Sequence, residues 1–337
     1  MAQANQGVRL GTTLFSLTNE FHSLQYSFEE LIAKVGALGL GPGLEVIGFQ
    51  SIRGFPEVSD EFADRFKGLL AKHNLVPTCL AVNADVAIRR GQKMTTEESV
   101  RYHEPQIRAA AKLGFPVARY QYAAGPEVIE RLVPLAEKLQ VILGLEVHAP
   151  HKVDSPTLMG FREMYQRVRS PFLGFIPDFG ASAHTVPPGL LNVLRSRGVS
   201  DELIEVALAI WREESGSPPE KIQKLMATPE AQATERSLAS GVAVIYNILN
   251  YQDPSAWLEI MPQCVHIHGK FYEFDESGNE ACIPFDKLLP VFRDNGFNGY
   301  MSSEWEGHMY SDEDAFEVLK KHHALCKRIL ANGSAQA

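Results

Sequence analysis

The chain has 337 residues, of which 45% are hydrophobic and 22% charged, with a formal net charge of −9; this balance suits a folded protein with a full core and room for one large domain or two ordinary ones. No apolar run approaches the ~20 residues needed to span a bilayer, the opening MAQANQGVRLG lacks the basic-then-apolar layout of a secretory signal, and Lys and Arg scattered over an acidic chain leave no electrostatic footprint for nucleic acid. Cys79, Cys264, Cys282 and Cys326 show no CxxC spacing, which removes a zinc ribbon or thioredoxin motif; reduced thiols in the cytoplasm are the expectation.

Taken in order, short apolar runs alternate with helical patterns. Residues 8–17 form a first strand candidate. Ser27 offers an N-cap with Glu30 three residues on, and Phe28, Leu31, Ile32, Val35 and Leu38 make a helical stripe that Gly39 and Gly41 end. Further strands are expected over 44–50, 75–83, 115–122, 141–148, 172–180, 264–271 and 299–307. Helices are expected over 59–73, 96–113, 126–139, 157–169 and 312–330. This alternation implies parallel βαβ units, and eight of them point to an α/β fold, a closed (β/α)8 TIM barrel. The competing open, doubly wound sheet lacks a Gly-rich strand-to-helix turn of GxGxxG form.

One connection breaks the rhythm. Asp178 and His268 lie 90 residues apart, against 32 from Glu146 to Asp178 and 36 from His268 to Glu304. A βα unit takes roughly 30–40 residues, so roughly 50 are extra between strands six and seven. The reading is one barrel domain over 1–337 with a helical insertion over 187–258, able to act as a lid, a substrate wall or a docking surface.

In such a barrel, side chains at the C-terminal strand ends converge on the active site. The last four strands end in Glu146, Asp178, His268 and Glu304. Three carboxylates and an imidazole suit a divalent ion such as Mn²⁺, Mg²⁺ or Co²⁺. His266 shares a strand face with His268 and competes for the fourth position; His268 is nearer the mouth. His148, two residues past Glu146, projects from the same face one pleat higher. It could act as a general base beside a Lewis acid. Arg119 with Gln121, and Asn83 with Asp85, share faces at the ends of strands four and three; each pair could bind substrate hydroxyls or fill the barrel. Lys270 could meet a substrate oxygen or a strand-end carboxylate. Glu306 and His308 read as loop residues. Phe15, Phe271, Tyr272 and Trp305 could wall off a sugar or aromatic ring, with core packing the commoner role.

Through LEVHAP, IPDFG, VHIHGKF and SSEWEG, the chain resembles the sugar phosphate isomerase/epimerase-like TIM-barrel superfamily, which includes xylose isomerase, tagatose 3-epimerase and inosose dehydratase. The likeness covers residues 8–330. Within the superfamily, EVHAPH, the insertion after IPDFGASAH and SSEWEGH are similar to the catalytic alpha subunit of bacterial C-glycoside deglycosidases. The superfamily likeness implies a divalent ion, Mn²⁺ first, on Glu146, Asp178, His268 and Glu304. The subgroup likeness implies a substrate already oxidised to a ketone at sugar C3, removal of the C2 proton by His148, and β-elimination that breaks the bond from C1 to the aglycone carbon. It also implies a smaller beta subunit in a hetero-oligomer. Epimerases of the superfamily use two metal-bound glutamates as acid and base. Glu146 and Glu304 are both present, so a ketose isomerase or epimerase is the competing expectation. A non-catalytic sugar-binding barrel is a third.

Overall fold

The computed structural model describes residues 7–83, 92–213 and 215–332. Its strands are β1 (Val8–Thr13), β2 (Gly43–Ile47), β3 (Val76–Ala81), β4 (Val117–Tyr120), β5 (Ile142–Val147), β6 (Leu173–Pro177), β7 (Ile267–Phe271) and β8 (Gly299–Trp305). All pair in parallel, in the order β6-β5-β4-β3-β2-β1-β8-β7. The two outer strands of that order, β6 and β7, meet through bridges at Phe175–Cys264 and Asp178–His268, and Val265 donates its N–H to the Phe175 carbonyl at 3.0 Å. The sheet therefore forms a nearly closed barrel with helices outside it, as the alternation of strand and helix patterns implies.

Local chemistry sets the outer helices. Ser27 caps Phe28–Ala37 with a reciprocal bond to Glu30, and the helix buries Phe28, Leu31, Ile32 and Val35. Thr95 and Glu98 do the same for Thr96–Leu113. Several details differ from the sequence expectation. The first strand stops at Thr13, because the Thr13 hydroxyl accepts the Phe15 N–H at 3.3 Å and the Thr18 hydroxyl donates to the Phe15 carbonyl at 2.6 Å; together they wind Leu14–Leu17 into a 3₁₀ turn. The last helix, Ala315–Ala331, starts later than residue 312, where Asp314 caps it through the N–H groups of Phe316 and Glu317. A helix over Phe285–Asp294 was not expected. Its prolines, Pro284 and Pro290, obscure a sound apolar stripe of Phe285, Leu288, Leu289 and Phe292.

That stripe docks against the barrel wall. The Phe292 ring lies 5.4 Å from Phe179, 5.8 Å from Phe297 and 6.5 Å from Trp257, and is fully buried. Phe292→Ala is expected to destabilise the protein by about 3–5 kcal/mol through lost burial and a cavity, read as a lowered urea midpoint.

Between β6 and β7, helices run over Pro188–Ser196, Asp201–Trp211, Pro218–Met226, Pro229–Ala233, Arg236–Val242 and Ile245–Ile248. They pack around buried Leu203, Ile204, Trp211, Leu225 and Tyr246. The end of this stretch clamps two mouth loops. Asn250 donates to the Pro150 carbonyl at 2.7 Å, its N–H reaches the Gly180 carbonyl at 3.2 Å, and Gln252 accepts the Val153 N–H at 2.8 Å. The segment is thereby tied to the loops that follow β5 and β6, beside His148 and Asp178.

Candidate active site

Toward the mouth, inward-facing positions of this barrel are polar and charged. Alternation along β5 turns Gly144 and Glu146 inward. On β7 it turns His268 and Lys270 inward, and on β8 Ser302 and Glu304. One ligand-capable atom from each of Glu146, Asp178, His268 and Glu304 lies within 4.8 Å of the others, and all four residues are buried. His266 stands apart from this group and clusters with Glu45 and Cys79 instead. Of the two histidines on that face, it is His268 that offers a nitrogen to the carboxylates.

Each member is oriented by its neighbours. Glu146 Oε2 accepts from Arg119 at 2.9 Å and from Gln121 at 3.2 Å, which leaves Oε1 facing His268 Nδ1 at 2.7 Å. Asp178 caps a 3₁₀ turn over Phe179–Ser182, accepting the Gly180 N–H on Oδ1 at 2.7 Å and turning Oδ2 to the cluster. A Cβ at Gly180 would meet Lys270 Cδ at 2.8 Å, so any larger residue there would have to push the Lys270 side chain aside. Glu304 Oε2 lies 3.6 Å from His268 Nδ1. Asp178 Oδ2 and Glu304 Oε2 are buried and make no aligned hydrogen bond among the described residues. The Lys270 ammonium does stand 2.8 Å from the first and 3.8 Å from the second, as charge contacts.

The electrostatics show which charges are short of a counterion. Burial raises the Glu304 carboxyl above its ordinary value; His268 and Lys270 pull it down, while Asp178 and Glu146 push it further up. Burial would also raise Glu146, but Arg119 and His268 outweigh it and hold that carboxyl well below the carboxylate range. Burial would lower the Lys270 ammonium, yet Asp178, Glu306 and Glu304 raise it well above normal. His268 is likewise raised, with Glu45, Glu304 and Glu146 overcoming burial. A buried group of carboxylates with unaligned oxygens and an imidazole nitrogen at hand can hold a metal ion.

His148 is half-buried, its side chain 27% exposed, with Nε2 3.6 Å from Asp178 Oδ2. Lys270 donates to His148 Nε2 at 2.8 Å. An ammonium has no lone pair, so Nε2 is the accepting nitrogen and the ring proton sits on Nδ1, which donates to the Ala149 carbonyl. The lone pair thus faces the cluster. Lys270 also meets Glu306 Oε1 at 2.9 Å, so Glu306 belongs to the site's charge network and is more than a loop residue.

A family model described as xylose isomerase-like TIM barrel matches residues 43–185. The 3'-dehydrocarminate deglycosidase alpha subunit of a Microbacterium species is 38% identical over 98% of this chain and 97% of that protein. A C-glycoside deglycosidase alpha subunit of Arthrobacter globiformis is 39% identical over 96% of this chain and 92% of its own. The chain belongs to the C-glycoside deglycosidase alpha-subunit family. The names of these relatives imply a further subunit in those proteins. A sugar phosphate isomerase/epimerase from Parabacteroides distasonis shares the fold at a TM-score of 0.54 and 15% identity, covering 98% of this chain and 96% of that one. A 3-keto-D-glucoside 4-epimerase from E. coli does so at 0.53 and 12%, covering 94% and 98%.

The remaining sequence candidates of this family member are spread over the mouth and wall. Asn83 donates to the Tyr102 hydroxyl at 2.9 Å, and its backbone is bound to the Gln106 side chain; Asp85 lies outside the described residues. Phe271 faces outward and stacks on His322 with ring centres 4.0 Å apart, so it packs the helix layer. Trp305 is buried and donates to the Tyr272 carbonyl at 2.8 Å. Tyr272 is also buried, its hydroxyl without a hydrogen-bond partner among the described residues. Phe15 remains half-buried, edge-on to His308 at 5.1 Å. Sequence reasoning missed Glu45, which lies against both histidines of β7. The signal was available, because Glu45 is the one charged residue in the apolar run GLEVI of a central strand. Among the described residues no helix is long and apolar enough to cross a membrane.

Proposed function

We propose that this protein is the alpha subunit of a metal-dependent lyase that cleaves the C-glycosidic bond of 3-oxo-C-glucosides with aromatic, flavonoid-type aglycones. The observation that carries the reading is an imidazole, His148, whose accepting nitrogen faces the four-group cluster at the barrel mouth. Glu146, Asp178, His268 and Glu304 would hold the cation, with Mn²⁺ preferred and Mg²⁺ or Co²⁺ acceptable to the same oxygen-rich set. A divalent cation there supplies Lewis-acid stabilisation of the charge that develops on a ketone-bearing sugar.

The residues of the chain do the rest. The C3 ketone acidifies the C2 hydrogen, and His148 Nε2 takes that proton. The electron pair left at C2 forms the C1–C2 double bond as the bond from C1 to the aglycone carbon breaks. That carbon leaves with the bonding pair and takes up a proton, giving free aglycone and an unsaturated keto-sugar. Lys270, held by Asp178 and Glu306, would offer its ammonium to a sugar oxygen. Arg119 and Gln121 orient Glu146 and border the sugar, with Asn83 further along the mouth. A smaller beta subunit, forming a hetero-oligomer, is the proposed partner, in keeping with the relatives' names. The unpaired thiols match a reducing, cytoplasmic setting.

The test is incubation of a 3-oxo-C-glucoside with the protein, with and without a co-expressed beta subunit. Aglycone release that stops on chelation and returns with Mn²⁺ is expected. The presence of both Glu146 and Glu304 in the cluster favours one second reading, a sugar isomerase or epimerase. A changed sugar stereochemistry with no aglycone released would select it.

A further inference from the structure

Glu45 on β2 is fully buried inside the barrel, beneath the cluster. A buried carboxylate is costly unless its oxygens are paired. Here each oxygen meets a different imidazole. Oε2 lies 3.0 Å from His266 Nε2, and Oε1 lies 3.0 Å from His268 Nε2. Ser302 Oγ, 3.0 Å from His266 Nε2, closes the group from β8. The other nitrogen of His268, Nδ1, faces away from Glu45 towards Glu146 Oε1 and Glu304 Oε2.

We propose that Glu45, seated by His266 and Ser302, is a positioning residue that fixes the His268 ring so that Nδ1 is the nitrogen offered to a cation. The inference rests on the reading of Glu146, Asp178, His268 and Glu304 as an ion site. An imidazole can present either nitrogen, and the hydrogen bond made by one decides which. An ionised carboxylate only accepts, so a proton kept on Nε2 faces Glu45 Oε1; in the metal-free protein Nδ1 likewise faces the Glu146 carboxylate at 2.7 Å, and a cation bound there would take the place of the proton on Nδ1. Neither Glu45 Oε1 nor His268 Nε2 makes an aligned hydrogen bond to any described group, each other included; their 3.0 Å approach is a charge contact. The negative charge of Glu45 also raises the donor strength of the ring.

Glu45, Cys79 and His266 are themselves close enough to hold an ion. Their chemistry speaks against it. Both oxygens of Glu45 are taken by imidazoles, and burial, reinforced by Glu45, raises the Cys79 thiol well above its ordinary value, opposite to what a thiolate ligand needs.

The experiment is a Mn²⁺ titration of the full chain, followed by the electron paramagnetic resonance signal of free Mn²⁺, for wild type, Glu45→Gln, Glu45→Ala and Glu45→Asp. Glu45→Gln and Glu45→Ala are expected to bind about 10–100-fold more weakly, with Glu45→Asp recovering part of the loss. Thermal melts without metal check that the variants are folded. Independently, ¹⁵N-histidine spectra of the Zn²⁺-loaded wild type should show His268 protonated on Nε2 and ligated through Nδ1, a readout that needs no variant to fold. Wild-type affinity in folded Glu45→Gln and Glu45→Ala, or ligation through Nε2, would overturn the inference while leaving the ion site standing. A wild-type chain that binds no Mn²⁺ would overturn the ion-site reading and this inference with it.

Discussion

Glu304→Gln is expected to abolish aglycone release and to weaken Mn²⁺ binding by more than the roughly 10–100-fold that loss of an outer-shell partner costs. The amide is nearly isosteric, so the change removes a charge and little volume. Glu304 is one of three cluster carboxylates, its Oε2 buried without an aligned hydrogen bond among the described residues. A cation would meet that oxygen directly, and an amide oxygen is a far weaker ligand. The stability consequence has the opposite sign. Burial, with Asp178 and Glu146 adding to it, raises this carboxyl in the metal-free protein. A carboxyl whose folded value exceeds its unfolded one costs stability as pH rises above its ordinary 4.5. At pH 7, metal-free Glu304→Gln should therefore melt no lower than metal-free wild type. Added Mn²⁺ stabilises whatever binds it in the folded state alone, so the wild type should gain melting temperature on titration and the variant should not. Metal content by elemental analysis and paired melts with and without Mn²⁺ check both halves. Wild-type metal content in the variant would show that Glu304 is not a ligand.

The barrel was legible because its signal is repetitive. Strand patterns recur at βα spacing, and only the 90 residues between Asp178 and His268 depart from it. The strand-end groups Glu146, Asp178, His268 and Glu304 were legible for the same reason, since a polar residue closing an apolar strand marks the mouth of the barrel. What escaped was set by three-dimensional neighbours. Glu45 sits mid-strand, and only barrel closure brings β2 opposite β7 and sets its carboxylate between His266 and His268. Glu306 reads as a loop residue until Lys270 arrives from the adjacent strand. Arg119 and Gln121 read equally as hydroxyl binders or barrel filling; in the fold both bond Glu146 Oε2. Phe271 reads as either a substrate wall or core packing; strand alternation turns it outward onto His322, which selects packing. The helix over Phe285–Asp294 was hidden by prolines, although its stripe of apolar residues has helical spacing.

His148→Ala should leave metal content unchanged and lower turnover by about 10²–10⁴-fold, the usual contribution of a positioned general base. The ring is not one of the four clustered groups, so its removal leaves Glu146, Asp178, His268 and Glu304 in place. Lys270 loses one acceptor but keeps its contacts with Asp178 and Glu306, so the charge of the site is preserved. What disappears is the one imidazole nitrogen that combines an accepting lone pair, partial exposure and a position 3.6 Å from Asp178 Oδ2. Two measurements separate a base from a mere contact. Exchange of the C2 hydrogen of a 3-oxo-glucoside in D₂O, followed by proton NMR, reports abstraction without requiring cleavage, and it should fall in parallel with aglycone release. A substrate deuterated at C2 should show a primary isotope effect on the wild-type rate if abstraction limits turnover. Retention of the wild-type exchange rate in His148→Ala would move the base elsewhere in the site, with Glu146 and Glu304 the first groups to examine, since paired glutamates are how the isomerase reading would carry the same proton.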